Sequence, residues 1–259
     1  MIPQHTPRGP ELYHWAMDQP DNLVRIADDC ALDFNLDGVR MLFAFGPARP
    51  AGLPEERLLR LMADPGAQIG AVRWCEQVHG RVIASLAAEP GRPFEKAARV
   101  GRCDALMTAE AGVGLVIWTA DCVPILITGG GVVAAVHSGW RGSVSDIAGA
   151  VVRRFEVEYG VPPHHLRAML GPAISGPQYE VGREVIDGLR QFDLDEARWR
   201  QENQVDLRGF LAARLEDLGL EFTMIGIAGP CTALSPELAS YRRDGAGAGR
   251  QWSMIYRTG

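Results

Sequence analysis

The stretch WTADCVPILITGGGVVAAVHSGWRG, Trp118–Gly142, sets two apolar runs on either side of three glycines. Apolar runs bounded by turn residues read as strands, and the glycines between them read as a tight hairpin. With Gly129 and Gly130 at the centre of a two-residue type I′ turn, Thr128 pairs with Gly131. Followed along the ladder, that register sets Cys122 directly opposite His137. Opposed residues share a face, with Cβ atoms about 5 Å apart. At that separation a thiolate and an imidazole share a metal ion, or one deprotonates the other; the alternative is two buried strand residues. A loop one residue longer would put them on opposite faces. Pro124 has no N–H to give a ladder, which implies an edge position or a bulge near it.

The flanks of the hairpin are polar at one shared end, with Asp121 on one side and HSGWRG (137–142) on the other. A third residue joins them. The alternating run RWCEQVHGRVIA (73–84) reaches His79, with Cys75 and Gln77 on the same face and Gly80 permitting a turn. One histidine at a strand end is usually just hydrogen-bonded. Two histidines and a cysteine at strand ends are harder to dismiss in a chain with 6 histidines. Three nitrogen and sulfur donors leave a tetrahedral zinc with one open position, the pattern of a catalytic site. Beyond His137, Arg141 stands before a helix that opens with an S-x-x-D box, Ser143 to Asp146. Free N–H groups and a guanidinium there make an anion site, or else an ordinary capped helix beside a solvent-facing arginine.

That helix continues over SVSDIAGAVVRRFEVEYG (143–160), with an apolar stripe of Ile147, Ala148, Val151, Val152 and Phe155 and Gly160 at its end. Another amphipathic helix is expected over 205–220, and a short one over SPELASYRRDG (235–245) with Ser235 as cap. ERLLRLMAD (56–64) also reads as a helix. Strands are expected at 68–86, 112–120, 166–174, 221–229 and 251–257. GPARPAGLPEE (46–56) and AAEPGRPFEKAARVGR (87–102) read as linkers. Mixed strands and helices with an antiparallel hairpin indicate an α/β (α+β) fold, a single layered domain over 1–259 with helices on a mixed sheet.

Hydrophobic residues make up 47% and charged residues 22% of the 259, which allows a large core without disulfides. The 5 cysteines contain no C-x-x-C pair, so they are not a disulfide framework. A net charge of −6 disfavours nucleic acid as partner. No uninterrupted apolar run reaches membrane-spanning length and no secretory leader is visible, so neither membrane attachment nor export is expected. A cytoplasmic protein, monomeric or weakly self-associating, is the expectation.

QVHG (77–80), ADCVPIL (120–126), AVHSGWRG (135–142), GPAI and YEVG (171–182), and SYRRDG with GRQ (240–251) occur here in order. In these motifs the chain, over about 70–257, resembles a bacterial family known variously as laccase-domain proteins or polyphenol oxidases, multifunctional purine nucleoside phosphorylases, and peptidoglycan editing factors. Residues 1–69 diverge. The resemblance implies zinc held by His79, Cys122 and His137, which are also the catalytic candidates, and a layered fold shared with a cysteine-dependent deamidating toxin. Arg141, Arg242 and Arg243 are the available phosphate donors, and Gln77 is a further substrate contact. The chain departs from the family where LFAFGPARPAGLPEERL (42–58) replaces an upstream TRxGG segment and an SLNLG loop, with Arg49 the arginine nearest in place. It departs again where Gln178 stands at a position often held by cysteine.

The functions implied are phosphorolysis of purine nucleosides and deamination of adenosine, with nucleoside and phosphate as small-molecule partners. The alternatives are a cysteine hydrolase with Cys122 as nucleophile and His137 as base, editing peptidoglycan precursors, and a copper polyphenol oxidase. Copper outranks zinc in affinity for such a site. A multicopper cluster, however, needs more histidines than His5, His14, His79, His137, His164 and His165 supply. A non-enzymatic, metal-stabilised binding protein is a further reading. Cys231 reads as structural, and Tyr179 and Glu180 fall in a matched motif without an assigned role.

Overall fold

A computed structural model describes residues 23–26, 29–45, 62, 68–88 and 95–259. The segment 46–56, Arg49, His5, His14 and, except for the helical Met62, the helix expected at 56–64 lie outside the described residues. The strands are β1 (Leu23–Ile26), β2 (Asp29–Leu36), β3 (Val39–Phe45), β4 (Ala71–Glu76), β5 (Ile83–Leu86), β6 (Ala97–Arg102), β7 (Ala105–Thr108) and β8 (Val113–Thr119). They continue as β9 (Val123–Gly129), β10 (Val132–Ser138), β11 (Arg167–Leu170), β12 (Arg200–Gln201), β13 (Gln204–Val205), β14 (Ile225–Ile227) and β15 (Gln251–Arg257).

The fold class is the mixed α/β one expected, with a correction: the strands form two large sheets, not one. The seven-stranded sheet runs β1-β2-β3-β15-β8-β4-β6, the six-stranded sheet β14-β11-β9-β10-β7-β5, and β12-β13 make a small hairpin. Strand β6 lies inside the segment 87–102 expected as linker; its polar, half-exposed pattern at the sheet edge hid it. The two large sheets stack. Phe34, Met41, Phe43, Leu115 and Ile117 of one meet Leu126, Val133 and Ala135 of the other. The far face of the six-stranded sheet is covered by helices, with Ile147, Val151, Val152 and Phe155 against Ile125, Val132, Ala134 and Val136. Each such side chain larger than alanine, fully buried, contributes about 1.5–3 kcal/mol.

The decisive hairpin forms with a different centre. Gly130 and Gly131 have φ of 57° and 78°, the two positive values a type I′ turn needs. Gly129 instead pairs with Val132, and His137 faces Pro124, not Cys122. Gly129 belongs in the strand because a Cβ there would lie 2.6 Å from Leu166. The register therefore moves by two places in the pairing, which preserves faces. Pro124 sits in an interior strand, contrary to the edge expectation. His137 sends its N–H away from β9 to the Asp104 carbonyl at 2.8 Å, so Pro124 is in a non-hydrogen-bonded pair and owes β10 no donor. On its other side Pro124 only accepts, from Gly171 N–H at 2.9 Å.

Two caps also differ from expectation. The segment 143–160 splits into helices Trp140–Val144 and Ile147–Tyr159, and Asp146, not Ser143, caps the second by accepting from Gly149 N–H. Ser143 instead bonds the Ser138 hydroxyl at 3.0 Å. Near the C-terminus Ser240, not Ser235, caps a single helical turn, Tyr241–Asp244. Gly160 ends its helix in the left-handed conformation as expected, and helix Leu207–Asp217 forms behind the cap Asp206. No helix among the described residues is long and apolar enough to cross a membrane.

Candidate active site

Three times the chain leaves the seven-stranded sheet and enters the six-stranded one: from β4 to β5, from β6 to β7, and from β8 to β9. Strands β6 and β8 both run parallel to β4, so all three crossings fall at the same end. Each crossing carries a chemically active side chain: His79, Asp104 and Cys122. The end of β10 adds His137. Two of the crossing residues have left-handed backbone, His79 with φ 58° and Asp121, beside Cys122, with φ 82°. For residues with a Cβ this conformation costs free energy and persists where neighbours enforce it. Here the neighbours are visible. The Asp104 carboxylate accepts from the N–H groups of Val78 (3.1 Å), His79 (2.9 Å) and Gly80 (2.7 Å). The Asp121 carboxylate accepts from the Thr232 hydroxyl and from Arg242 N–H, both at 2.6 Å.

The donor atoms of His79, Cys122 and His137 lie within 4.8 Å of one another, the one group of three or more such side chains among the described residues placed to hold a metal ion. His79 is exposed, Cys122 partly buried and His137 buried, so the group is a floor open on one side. The imidazoles meet edge to face with centroids 4.8 Å apart. Gly139 makes the group sterically feasible, because a Cβ there would sit 2.8 Å from the Cys122 sulfur and 3.2 Å from His79 Nδ1. His137 Nδ1 is 2.9 Å from an Asp104 oxygen, which leaves its Nε2 to face the thiol. Burial alone would push the Cys122 thiol up, but hydrogen bonds and charge from His137 and His79 outweigh it and bring it down to about 6. Burial would likewise lower His137, yet Asp104 and the Cys122 thiolate raise it to about 9. Asp104 itself is buried, and its bonds to His137 and to the Gly80 and His79 N–H groups hold it below the usual carboxylate range. Thiolate beside imidazolium is the state this geometry favours at neutral pH.

A cavity of about 700 Å³ opens over this floor, walled by Trp118, Trp140, Tyr179 and Tyr241 and by three arginines, Arg141, Arg242 and Arg250. Arg141 does not precede a helix N-terminus; it lies within helix Trp140–Val144, its guanidinium 4.3 Å from the Trp140 ring centre. Arg242 lies over the Tyr179 ring and donates to the carbonyls of Gln178 (3.2 Å) and Glu180 (3.1 Å). Arg243 is not brought to the cavity. Its guanidinium donates to the carbonyls of Thr232, Ser235 and Leu238 and pairs with Asp244, so it ties down the loop behind the site. Gln77 lines the cavity, but its amide is spent on both backbone groups of Trp118, at 2.7 and 2.8 Å.

Sequence reasoning missed Asp104 and Arg250. Arg250 is legible as the arginine of the GRQ motif. Asp104, an acid ahead of the short apolar run ALMT, carries no motif; only the crossing from β6 to β7 brings it under two histidines. Cys75 is buried and donates to the Cys103 carbonyl at 3.0 Å. Cys231 accepts from Ser175 N–H at 3.3 Å, away from the three-residue group.

Stacked mixed sheets covered on one face by helices, with a His–Cys–His group where strands pass between them, define the structural class. Its fold is that of YlmD from Geobacillus stearothermophilus, whose crystal structure superposes with a TM-score of 0.77 at 27% identity over 93% of this chain and 100% of that one. The Bacillus licheniformis hypothetical protein YfiH shares the fold, with a TM-score of 0.75 at 22% identity over 90% of this chain and 97% of that one. Residues 55–258 match the family described as multi-copper polyphenol oxidoreductase laccase, and the chain belongs to that family. The match starts at residue 55, earlier than the motifs from 70 onward indicate. Among relatives, a protein of Deinococcus radiodurans named purine nucleoside phosphorylase is 39% identical over 204 residues, 77% of this chain and 76% of its own length. One of the same name from Mycobacterium bovis is 36% identical over 214 residues, 80% of each chain.

Proposed function

We propose that the protein is a zinc-dependent enzyme acting on purine nucleosides, cleaving adenosine, inosine, guanosine or methylthioadenosine with phosphate and deaminating adenosine. The observation that carries this reading is the group of His79, Cys122 and His137, donor atoms within 4.8 Å, at the floor of a cavity of about 700 Å³. Relatives named purine nucleoside phosphorylase at 36–39% identity support the substrate class.

The donor set suits zinc. Two imidazoles and a thiolate are its usual ligands, Cys122 is already inclined to ionise, and Asp104 holds His137 by the nitrogen that does not face the group. Zinc held there supplies a Lewis acid with one open position. The cavity is of the size that encloses a small organic ligand. Arg141, which no carboxylate pairs among the described residues, neutralises phosphate, and Arg242 and Arg250 add charge at the same wall. The Tyr179 ring, backed by Arg242, offers an apolar face to a purine. Gln77 acts here by holding the cavity wall at Trp118. A cytoplasmic location belongs to the same reading, since nucleosides, phosphate and reduced thiols meet there.

The test combines metal analysis of purified protein with adenosine phosphorolysis and deamination assays, before and after chelation. Stoichiometric zinc and activity lost on chelation and restored by zinc are expected. Metal-free protein whose activity ignores chelator would overturn the proposal.

A second reading has its own observation. Cys122, His137 and Asp104 also form a nucleophile, base and orienting carboxylate in series, the arrangement of a cysteine hydrolase acting on amides such as those of peptidoglycan precursors. It requires rapid inactivation by alkylation together with indifference to chelator. A multicopper centre is disfavoured: outside the three-residue group the described histidines are His164 and His165, exposed neighbours in one turn, Pro163–His165. Copper remains a competitor for the single site.

A further inference from the structure

We infer that Asp104 is the positioning residue of the site, one carboxylate that sets the place of both histidines. The inference rests on the metal reading above and deepens it. Asp104 is fully buried. Its Oδ1 lies 2.9 Å from His137 Nδ1 and also accepts from Val78 and His79 N–H, while Oδ2 accepts from Gly80 N–H at 2.7 Å. The first contact holds the His137 ring by the nitrogen remote from Cys122, so that Nδ1 carries a proton and Nε2 presents a lone pair to a metal. The other three stabilise the turn that holds His79 at φ 58°, a conformation an unaided histidine seldom adopts. The Asp104 backbone takes part too, its carbonyl accepting His137 N–H at 2.8 Å. Asp104 is not among the residues that line the cavity, so its role is exerted through the two ligands. Cys122 reaches the group independently, on the crossing from β8 to β9.

Substitution separates charge and geometry from bulk. In Asp104→Asn the shape is retained, but one carboxamide cannot accept on both sides. With oxygen at the Oδ1 place, its NH₂ meets Gly80 N–H; in the other orientation, NH₂ meets His137 Nδ1 and two N–H groups. Asp104→Ala leaves all three turn N–H groups without their acceptor.

The experiment is Zn²⁺ affinity of the full chain by competition with a chromophoric chelator, for wild type, Asp104→Asn and Asp104→Ala. The d–d absorption of Co²⁺-loaded protein and the ¹⁵N spectrum of the histidines are recorded beside it. Near-UV circular dichroism of the metal-free forms reports folding. We expect folded Asp104→Asn to bind Zn²⁺ about 10–100-fold more weakly, with an altered Co²⁺ spectrum, and Asp104→Ala to lose the slowly exchanging Nδ1 proton of His137. Asp104→Ala should also lose more affinity. Folded Asp104→Asn with wild-type affinity and Co²⁺ spectrum would overturn the inference. If wild type itself binds no metal, the metal reading fails, and the ¹⁵N spectrum still decides the positioning role. A protected His137 Nδ1 proton in wild type, lost in Asp104→Ala, supports it, and absence of that proton in wild type overturns it. The same wild-type spectrum decides the matter if both variants unfold.

Discussion

Gly139 has no side chain to put between the Cys122 sulfur and His79, and that vacancy is where a metal ligand set is made or lost. Gly139→Ala would place a methyl 2.8 Å from the sulfur and force it aside. The contact is with movable side chains, not backbone, so the fold should survive. We expect a folded protein with metal affinity lowered about tenfold or more, read by chelator competition; unchanged affinity would refute this account of the group. The pairing of Cys122 with His137 also has a pH signature in the metal-free protein. The Cys122 thiol falls from 9.0 to about 6, so its contribution to stability is complete above its unfolded value and is lost as pH falls through about 6. His137 rises from 6.5 to about 9, so its contribution is complete below 6.5 and lost as pH rises through about 9. Between those limits the folded pair is thiolate and imidazolium, the unfolded pair thiol and imidazole, and both bind one proton. The urea midpoint of metal-free wild type, taken relative to a Cys122→Ser/His137→Asn reference, should therefore be flat from about pH 6.5 upward, because folded His137 and the unfolded thiol both release a proton near 9, and should fall only slightly between 6.5 and about 6. A steady slope across that window would exclude the ion pair.

At the scale of elements, the helix Ile147–Tyr159 depends on one residue. Asp146 caps its first turn and also binds Arg153 and Arg214. Asp146→Ala removes the cap and both ion pairs and leaves an alanine at φ 61°, so a loss of about 2 kcal/mol in urea unfolding is expected. Activity per folded molecule should change little, because no residue of this helix lines the cavity. The hairpin makes the opposite prediction. One residue inserted between Gly130 and Gly131 would turn β10 over relative to β9 and carry His137 out of the site or Val136 into it. Zinc binding should be abolished, and retention of metal by a folded insertion variant would contradict the register described.

Across the whole molecule, chain order and spatial order part company. Strand β15, the last in the chain, pairs with β3 on one side and β8 on the other, in the interior of the seven-stranded sheet. A chain ended before Gln251 should therefore fail to fold, recovered as insoluble or protease-sensitive material, despite losing few residues. Strand β8 feeds directly into Cys122, so the C-terminus supports the site without touching it. The Asp121 carboxylate supplies a second long-range tie, holding Arg242 and Thr232 beside the crossing from β8 to β9.

What the sequence determined alone was local and periodic. Alternation and glycine placement marked the hairpin at 118–142, the apolar stripe marked the helix over 147–159, and the motifs at 77–80, 120–126 and 135–142 picked out His79, Cys122 and His137 as residues to be gathered. Even a turn misplaced by one glycine kept Cys122 and His137 on one face, since a strand repeats every two residues. What only the tertiary structure decided was everything set by partners distant in sequence. Polar β6 became an edge strand because β4 supplies its partner, one sheet became two because three connections cross between layers, and Arg243 turned to loop carbonyls while Arg250 joined the cavity wall. Asp104 is the clearest case. Nothing within a few residues of it signals a role, because its partners, the turn at 78–80 and the ring of His137, arrive from other strands, and a carboxylate can be buried only where such donors converge on it.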